Sequence, residues 1–385
     1  MSAIFLPRAM RIGAGAIEEL PAALMQLGLS APAILTDGFL AGNGALERLR
    51  SILSGAGIAA RAYSDVISDP TVASVDAAVA FVTAGDHDCV IGFGGGSSID
   101  TAKAAAVLAT HGGPMRALKA PHEENRPGLP IVAIPTTAGT GSEATRFTII
   151  TDEANDEKML CAGLAYLPVL AIVDYELTLS KPARLTADTG IDALTHAIEA
   201  YVSQRANPFS DGMAIAAMRA IWPHLRRACD DPGDRIAREA MMAGSLQAGI
   251  AFSNASVALV HGMSRPIGAH FHVAHGLSNA MLLPVVTAWS APAALPRYAD
   301  CARAMGVAEP GEGDQSAVGR LIEGLRDINR DLSVPTPKSY GIDEARWQAL
   351  LPLMAEQALA SGSPGNNPRI PDAATIEALY RQAWA

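Results

Sequence analysis

Four histidines, His261, His270, His272 and His275, crowd into the stretch "HGMSRPIGAHFHVAH". Imidazole is the commonest metal ligand among side chains, and another part of the chain offers it partners. In "DTGIDALTHAIEAYVS", Asp192 and His196 stand four residues apart on one helical face, with Glu199 a turn further on. One carboxylate oxygen and up to three imidazole nitrogens suit Fe2+ or Zn2+. Spacing does not choose between His270, His272 and His275 as the last nitrogen ligand. Each also reads as a hydrogen-bonded interior histidine, and Asp192 with His196 reads equally as a helical ion pair. Arg265 follows His261 by one turn. It keeps its proton at all working pH values, so it suits a carboxylate or phosphate partner, or a helix-end carbonyl, better than proton relay.

A second chemistry is written in glycine and hydroxyl residues. "VIGFGGGSSIDTAKA" passes from an apolar run into a helical pattern, and Gly94, Gly95 and Gly96 allow positive φ and close approach of a ligand. Ser97 and Ser98 are placed to cap that helix, whose free N–H groups attract an anion such as a pyrophosphate. "IPTTAGTGSEAT" follows another apolar run and supplies Thr136, Thr137, Thr140 and Ser142 as donors. The glycine spacing departs from the usual dinucleotide fingerprint, so the two loops together carry the reading. Asp37, closing "PAILTD", is placed to take ribose hydroxyls, which favours NAD and repels the extra phosphate of NADP; an Asx turn is its plain structural alternative.

These residues need elements to hold them. "PAILTD" (32–37), "CVIGFGG" (89–95), "LPIVAIP" (129–135) and "VLAIVD" (169–174) are short apolar runs ending in polar or turn residues, separated by patterns such as "SSIDTAKAAAVLATH" (97–111). That alternation predicts a parallel sheet covered by helices on both faces. Beyond about residue 181 the strand signals fade into helical spacing. The expected organisation is a dinucleotide-binding α/β domain over 1–180 and an all-helical, metal-binding and catalytic domain over 181–385. One helix is expected to run through "NASVALVHGMSR" and to end at Pro266–Ile267–Gly268.

Taken together, "GGGSSIDTAKA", "IPTTAGTGSEAT", "GIDALTHAIEAYVS", "HGMSRPIGAHFHVAHGLSNAMLLP" and "NNPRIPDAATIEALYRQAW" resemble the iron-containing (group III) alcohol dehydrogenase family, in the family's order and over nearly the whole chain. The resemblance implies a Rossmann-like N-terminal domain and an all-α C-terminal domain, the dehydroquinate synthase-like fold. It assigns the metal, Fe2+ or Zn2+, to Asp192, His196, His261 and His275. It assigns NAD(P) to Asp37, Gly95, Gly96, Ser97, Asp100, Thr136, Thr137, Thr140, Ser142 and Lys158, with Leu179 near the cofactor ring. The implied reaction is reversible oxidation of an alcohol to an aldehyde or ketone. One departure stands out: many members carry a histidine, thought to relay the alcohol proton, where this chain has Arg265. His270 and His272 are then the candidates for moving that proton, and Arg265 points to substrates bearing an anionic group. A glycerol dehydrogenase-like enzyme, a sugar-phosphate cyclase-like enzyme and a non-catalytic nucleotide or metal sensor are the competing readings; a cyclase needs more basic residues than Arg265 to grip a phosphorylated substrate.

Composition narrows the remainder. Of 385 residues, 49% are hydrophobic and 18% charged, enough for a substantial core, and the length suits two domains. A net charge of −10 argues against a nucleic-acid or anionic-membrane partner. Cys89, Cys161, Cys229 and Cys301 show no metal or redox spacing and read as buried thiols. No apolar run approaches a membrane span and the opening residues show no secretory pattern, so a cytoplasmic enzyme is expected, with a homodimer implied by the resemblance.

Overall fold

The computed structural model describes residues 3–385. Two compact units divide the chain, one over Phe5–Ser180 and one over Lys181–Ala385. The first holds eight strands: β1 (Ala9–Ile12), β2 (Pro32–Asp37), β3 (Arg61–Val66), β4 (Cys89–Gly94), β5 (Ile131–Pro135), β6 (Phe147–Asp152), β7 (Glu157–Ala162) and β8 (Leu170–Val173). Six form one sheet in the order β1-β8-β5-β4-β2-β3, every neighbouring pair parallel. Strands β2, β4, β5 and β8 stand where the apolar runs place them. They are the inner strands, and successive residues feed opposite cores: Ile34, Ile91, Phe93, Val132 and Ile134 on one face, Ala33, Leu35, Val90 and Ile131 on the other. Strands β1 and β3 are edges, only partly buried, which is why no continuous apolar run announces them. The antiparallel hairpin β6–β7 is also unforeseen; β6 alternates buried and half-buried residues.

The chain steps outward from β2 to β3, then returns past β2 to β4 and continues the other way. The carboxyl ends of β2 and β4 therefore flank the point where the strand order reverses, the usual ligand crevice of such sheets. The helix Gly96–His111 leaves β4 there.

The second unit is helical throughout, with no strand among the described residues. The helix Ala183–Val202 is its buried centre, and Gly190 lets it lie against Leu225 and Met241: a Cβ at Gly190 would fall only 2.8 Å from the Met241 methyl carbon. Two expectations fail here. The helix Arg235–Asn254 stops, and a new one runs Leu259–Phe271. Ser256 between them has φ 130°, which no helix accommodates. Asn366 Nδ2 holds that turn by donating to Ser256 Oγ and Val257 O. Pro266, expected to end the second helix, lies inside it. Proline removes one helical hydrogen bond, but tertiary packing over the preceding turn, including Tyr380 OH donating to Met263 O at 2.6 Å, carries the helix through. No single helix in the described chain is long and apolar enough to cross a membrane.

Candidate functional site

The helix Ala183–Val202 presents Asp192, His196 and Glu199 from successive turns, all three buried. His261 comes from the first turn of Leu259–Phe271, and His275 is the first residue of the helix His275–Ser290. A glycine sets the last approach. A Cβ on Gly276 would meet the Asp188 carbonyl carbon at 2.8 Å and Asp192 Cβ at 3.3 Å. Only glycine lets the two helices touch there, and that contact carries His275 to Asp192.

All three imidazoles turn Nε2 toward Asp192 Oδ1: His261 at 3.4 Å, His275 at 3.8 Å and His196 at 4.0 Å. A tetrahedral ion with bonds of about 2.1 Å keeps its ligands about 3.4 Å apart, so the donor spacing fits a small divalent ion. Ligand atoms of Asp192, His261 and His275 lie mutually within 4.8 Å. His196 sits beside this trio, its ring stacked between Phe252 and His261 at centroid distances of 4.3 and 4.4 Å. The Nδ1 of His196 is buried without a hydrogen-bond partner.

Two polar residues brace the donors. Glu199 accepts from His261 Nδ1 at 2.7 Å and from the backbone N–H groups of Ala258 and Val260, at 2.9 and 2.6 Å. Its carboxylate thus caps the helix that carries His261, where unpaired N–H groups favour negative charge, and fixes the tautomer in which Nε2 carries a lone pair rather than a proton. Asn279, one turn after His275 and fully buried, donates from Nδ2 to Asp192 Oδ1 at 2.6 Å and to His261 Nε2 at 3.1 Å, and its Nδ2 lies 3.3 Å from His275 Nε2. Asn279 is not among the predicted site residues; its spacing of four from His275 is the signal the sequence offers for it. Burial opposes ionisation of Asp192, but the adjoining histidines hold its carboxyl well below the usual range. Burial pushes His196 down to about 3, keeping it neutral, as a metal ligand must be.

His270 and His272 are not brought to this set. His270 is nine residues beyond His261, half a revolution round the same helix, and its Nε2 meets Gln357 Oε1 at 2.8 Å. His272 ends the helix in the left-handed region, φ 54°, exposed. Arg265 does share the His261 face, buried, with Nη1 donating to Ser363 Oγ at 3.0 Å.

In the α/β unit the predicted loops converge at the carboxyl ends of β2, β4 and β5. Thr136 N donates to Gly94 O at 2.8 Å, fastening the loop after β5 to the end of β4. Gly94 has φ 151°; a Cβ there would lie 2.8 Å from Ser98 Cβ and 3.4 Å from Asp37 Oδ2. A Cβ at Gly96 would strike Thr140 Cγ2 at 2.7 Å, and one at Gly95 would rest 3.6 Å from Thr137 Cγ2. Only Gly94 of the three uses positive φ, and neither Ser97 nor Ser98 caps the helix, whose N-cap is Gly95; the glycines serve close approach instead. Asp37 caps a short helical turn by accepting from Leu40 N at 2.9 Å through Oδ1, with Oδ2 toward Gly94. Thr136 Oγ1, in the loop fastened to Gly94, is buried and without a partner, and Gly96 begins the helix, so the cradle fits a dinucleotide phosphate.

Asp100 lies below rather than within it, accepting from Ser142 Oγ at 2.7 Å and Ile149 N at 2.9 Å and so tying the two loops together. Lys158 pairs with Asp69 at 2.6 Å, and Asp69 N donates to Ser97 Oγ at 3.3 Å. Leu179 is half-buried after the turn Tyr175–Thr178 that follows β8. Beneath the loops, the fully buried Lys103 donates to Thr145 O, Thr145 Oγ1 and Phe147 O at 2.8–2.9 Å. Burial lowers it to about 8 and raises its neighbour Glu143 to about 7.

Both units of the chain match known proteins. Residues 7–175 match the family model for iron-containing alcohol dehydrogenase, and residues 186–384 match the C-terminal model of the Fe-containing alcohol dehydrogenase family. Long-chain-alcohol dehydrogenase 1 of Geobacillus thermodenitrificans is 40% identical, over 99% of this chain and 96% of its own. NAD-dependent methanol dehydrogenase of Bacillus methanolicus is 36% identical over all of both chains. A crystal structure of 1,3-propanediol oxidoreductase superimposes with a TM-score of 0.95 at 34% identity, each chain fully covered.

Proposed function

Because the chain belongs to the iron-containing alcohol dehydrogenase family, we propose that Asp192, His196, His261 and His275 hold its divalent ion and that the loops after β2, β4 and β5 hold its NAD. The protein is a metal-dependent, NAD-linked oxidoreductase that interconverts small alcohols with aldehydes or ketones by hydride transfer. When bound, Fe2+ supplies Lewis-acid polarisation of the substrate oxygen and NAD accepts or returns the hydride.

The chain's own residues supply position and charge. Glu199 aims His261 Nε2, Asn279 holds the Asp192 carboxylate, and Phe252 pins the His196 ring. Burial of Asp192, His196 and His261 removes competing water from three of the four donors, and a donor set held rigid loses little freedom on binding its ion. Gly94, Gly95, Gly96, Ser97, Thr136, Thr137, Thr140 and Ser142 line the phosphate cradle, braced by Asp100; Lys158 flanks it through Asp69. Asp37 faces the same cradle with one carboxylate oxygen, which favours NAD over NADP. Leu179 is assigned to the ring end of the cofactor. Of the residues considered for proton transfer, His270 is turned to Gln357 and His272 is a helix terminus, so neither touches the donors; Arg265 is the polar neighbour that does share their face. The net charge of −10 disfavours a nucleic-acid or anionic-membrane partner, and a cytoplasmic homodimer is proposed from the family resemblance alone.

The observation that carries this reading is the convergence of three Nε2 atoms, from three helices, on one carboxylate oxygen. Protein purified without oxygen should contain about one divalent ion per chain. NADH consumption with an aldehyde panel should stop on chelation and return with Fe2+. Full activity after complete metal removal, or NADPH preferred to NADH, overturns the respective assignment.

A further inference from the structure

Arg265 carries a charge that the protein does not pair. The residue is only 8% exposed. Of its five N–H donors, one meets a protein acceptor, Ser363 Oγ at 3.0 Å. No ion pair joins it to an acid among the described residues. Glu199, the acid whose charge it feels, already accepts from Ala258 N, Val260 N and His261 Nδ1. Removing a charge from water without a partner is among the costlier arrangements in a protein, and the depressed guanidinium, at about 10, reflects that burial.

The surroundings are built rather than accidental. Arg265 follows His261 by four residues, so both side chains leave the same face of Leu259–Phe271. Ser363 opens the turn Ser363–Asn366, which lies against that helix because Gly262 has no side chain: a Cβ there would meet Pro364 Cγ at 2.7 Å. Asn366 then ties the turn back to Ser256 and Val257. With a divalent ion bound, its ligand histidines would be neutral and its two charges would balance those of Asp192 and Glu199, which leaves the Arg265 charge without a counterpart.

We propose that Arg265, with Ser363 Oγ, is the anion-recognition subsite for the substrate, and that the preferred substrates are short aldehydes and alcohols ending in a carboxylate. This rests on the reading that Asp192 and the three histidines hold the catalytic ion. The guanidinium fork matches both oxygens of a carboxylate. Four residues of helix, about 6 Å of rise, separate the points where the two side chains leave the axis, a span on the scale of a four-carbon chain.

The test compares kcat/KM for 4-oxobutanoate and for butanal, with NADH, in wild type, Arg265→Gln and Arg265→Lys. Wild type should prefer 4-oxobutanoate. The preference ratio should fall at least tenfold in Arg265→Gln and by less in Arg265→Lys, which keeps the charge without the fork. Parallel losses on both aldehydes, leaving the ratio unchanged, are what a packing role produces and overturn the proposal. Calorimetry on chelator-treated wild type gives a second readout without turnover or variants: butanoate should bind more tightly than butan-1-ol, and equal or absent binding of both overturns the subsite. Absence of chelator-sensitive NADH consumption on either aldehyde defeats the dehydrogenase reading instead, and the calorimetric comparison then decides the subsite alone.

Discussion

Gly276→Ala is the sharpest perturbation of the proposed metal centre. The added methyl carbon would lie 2.8 Å from the Asp188 carbonyl carbon and 2.3 Å from its oxygen. An ordinary carbon–oxygen contact is about 3.3 Å or more, so the start of the helix His275–Ser290 must retreat by about 1 Å, because a backbone carbonyl cannot rotate aside. His275 is the adjoining residue. Its Nε2, 3.8 Å from Asp192 Oδ1, then stands beyond ligand spacing, and the ion loses a donor. Overpacking costs about 1–3 kcal/mol, while replacing a helical glycine returns up to about 1 kcal/mol, so stability falls only modestly. Metal affinity is the larger effect. Disturbing residues that merely support a ligand costs about 10–100-fold, and displacing a ligand should cost about 100-fold or more. Titration of metal-free protein with Co2+, read by visible absorption, measures it. The control is Gly319→Ala, mid-helix with open space around it, which should leave Co2+ binding as it is. Should Gly276→Ala bind Co2+ within about threefold of wild type with the same spectrum, the close approach does not set the site.

Two further outcomes follow from buried carboxylates. Glu199→Ala leaves Ala258 N, Val260 N and His261 Nδ1 without their acceptor; at about 1–3 kcal/mol per unpaired buried donor the variant should lose several kcal/mol in urea unfolding, and Glu199→Gln should fold but bind Co2+ about 10–100-fold more weakly. Wild-type Co2+ affinity in Glu199→Gln would refute the orienting role. Glu143 is raised from 4.5 to about 7 by burial, so the folded chain holds its proton more tightly than the unfolded one. Its stabilising contribution is complete below about pH 4.5 and lost as pH rises through about 7, by at most about 3 kcal/mol. Urea midpoints between pH 5 and 7 should fall more steeply in wild type than in Glu143→Gln, and equal slopes contradict the assignment.

Local sequence determines a good deal of this protein. The inner strands β2, β4, β5 and β8 are legible because a strand buried on both faces must be apolar at every position. The helix with Asp192 and His196 is legible because a period of 3.6 sets their spacing. Glycine and threonine loops at strand ends declare a ligand cradle for the same local reason, and the family-wide motifs carried the fold and the reaction.

Other features belong to tertiary structure. Edge strands β1 and β3 and the hairpin β6–β7 lack the continuous apolar run because they are buried incompletely or on alternate residues. The break at Ser256 and the persistence of the helix through Pro266 reverse local preference, since Asn366, Tyr380 and the Glu199 carboxylate hold backbone groups from far along the chain. His270, His272 and His275 look alike in the one-dimensional pattern. Only the approach at Gly276 brings His275 to Asp192, whereas half a revolution of helix carries His270 to Gln357. The buried, unpaired charge of Arg265 is likewise a property of packing: a sequence records an arginine, and only the fold determines which acids it can reach.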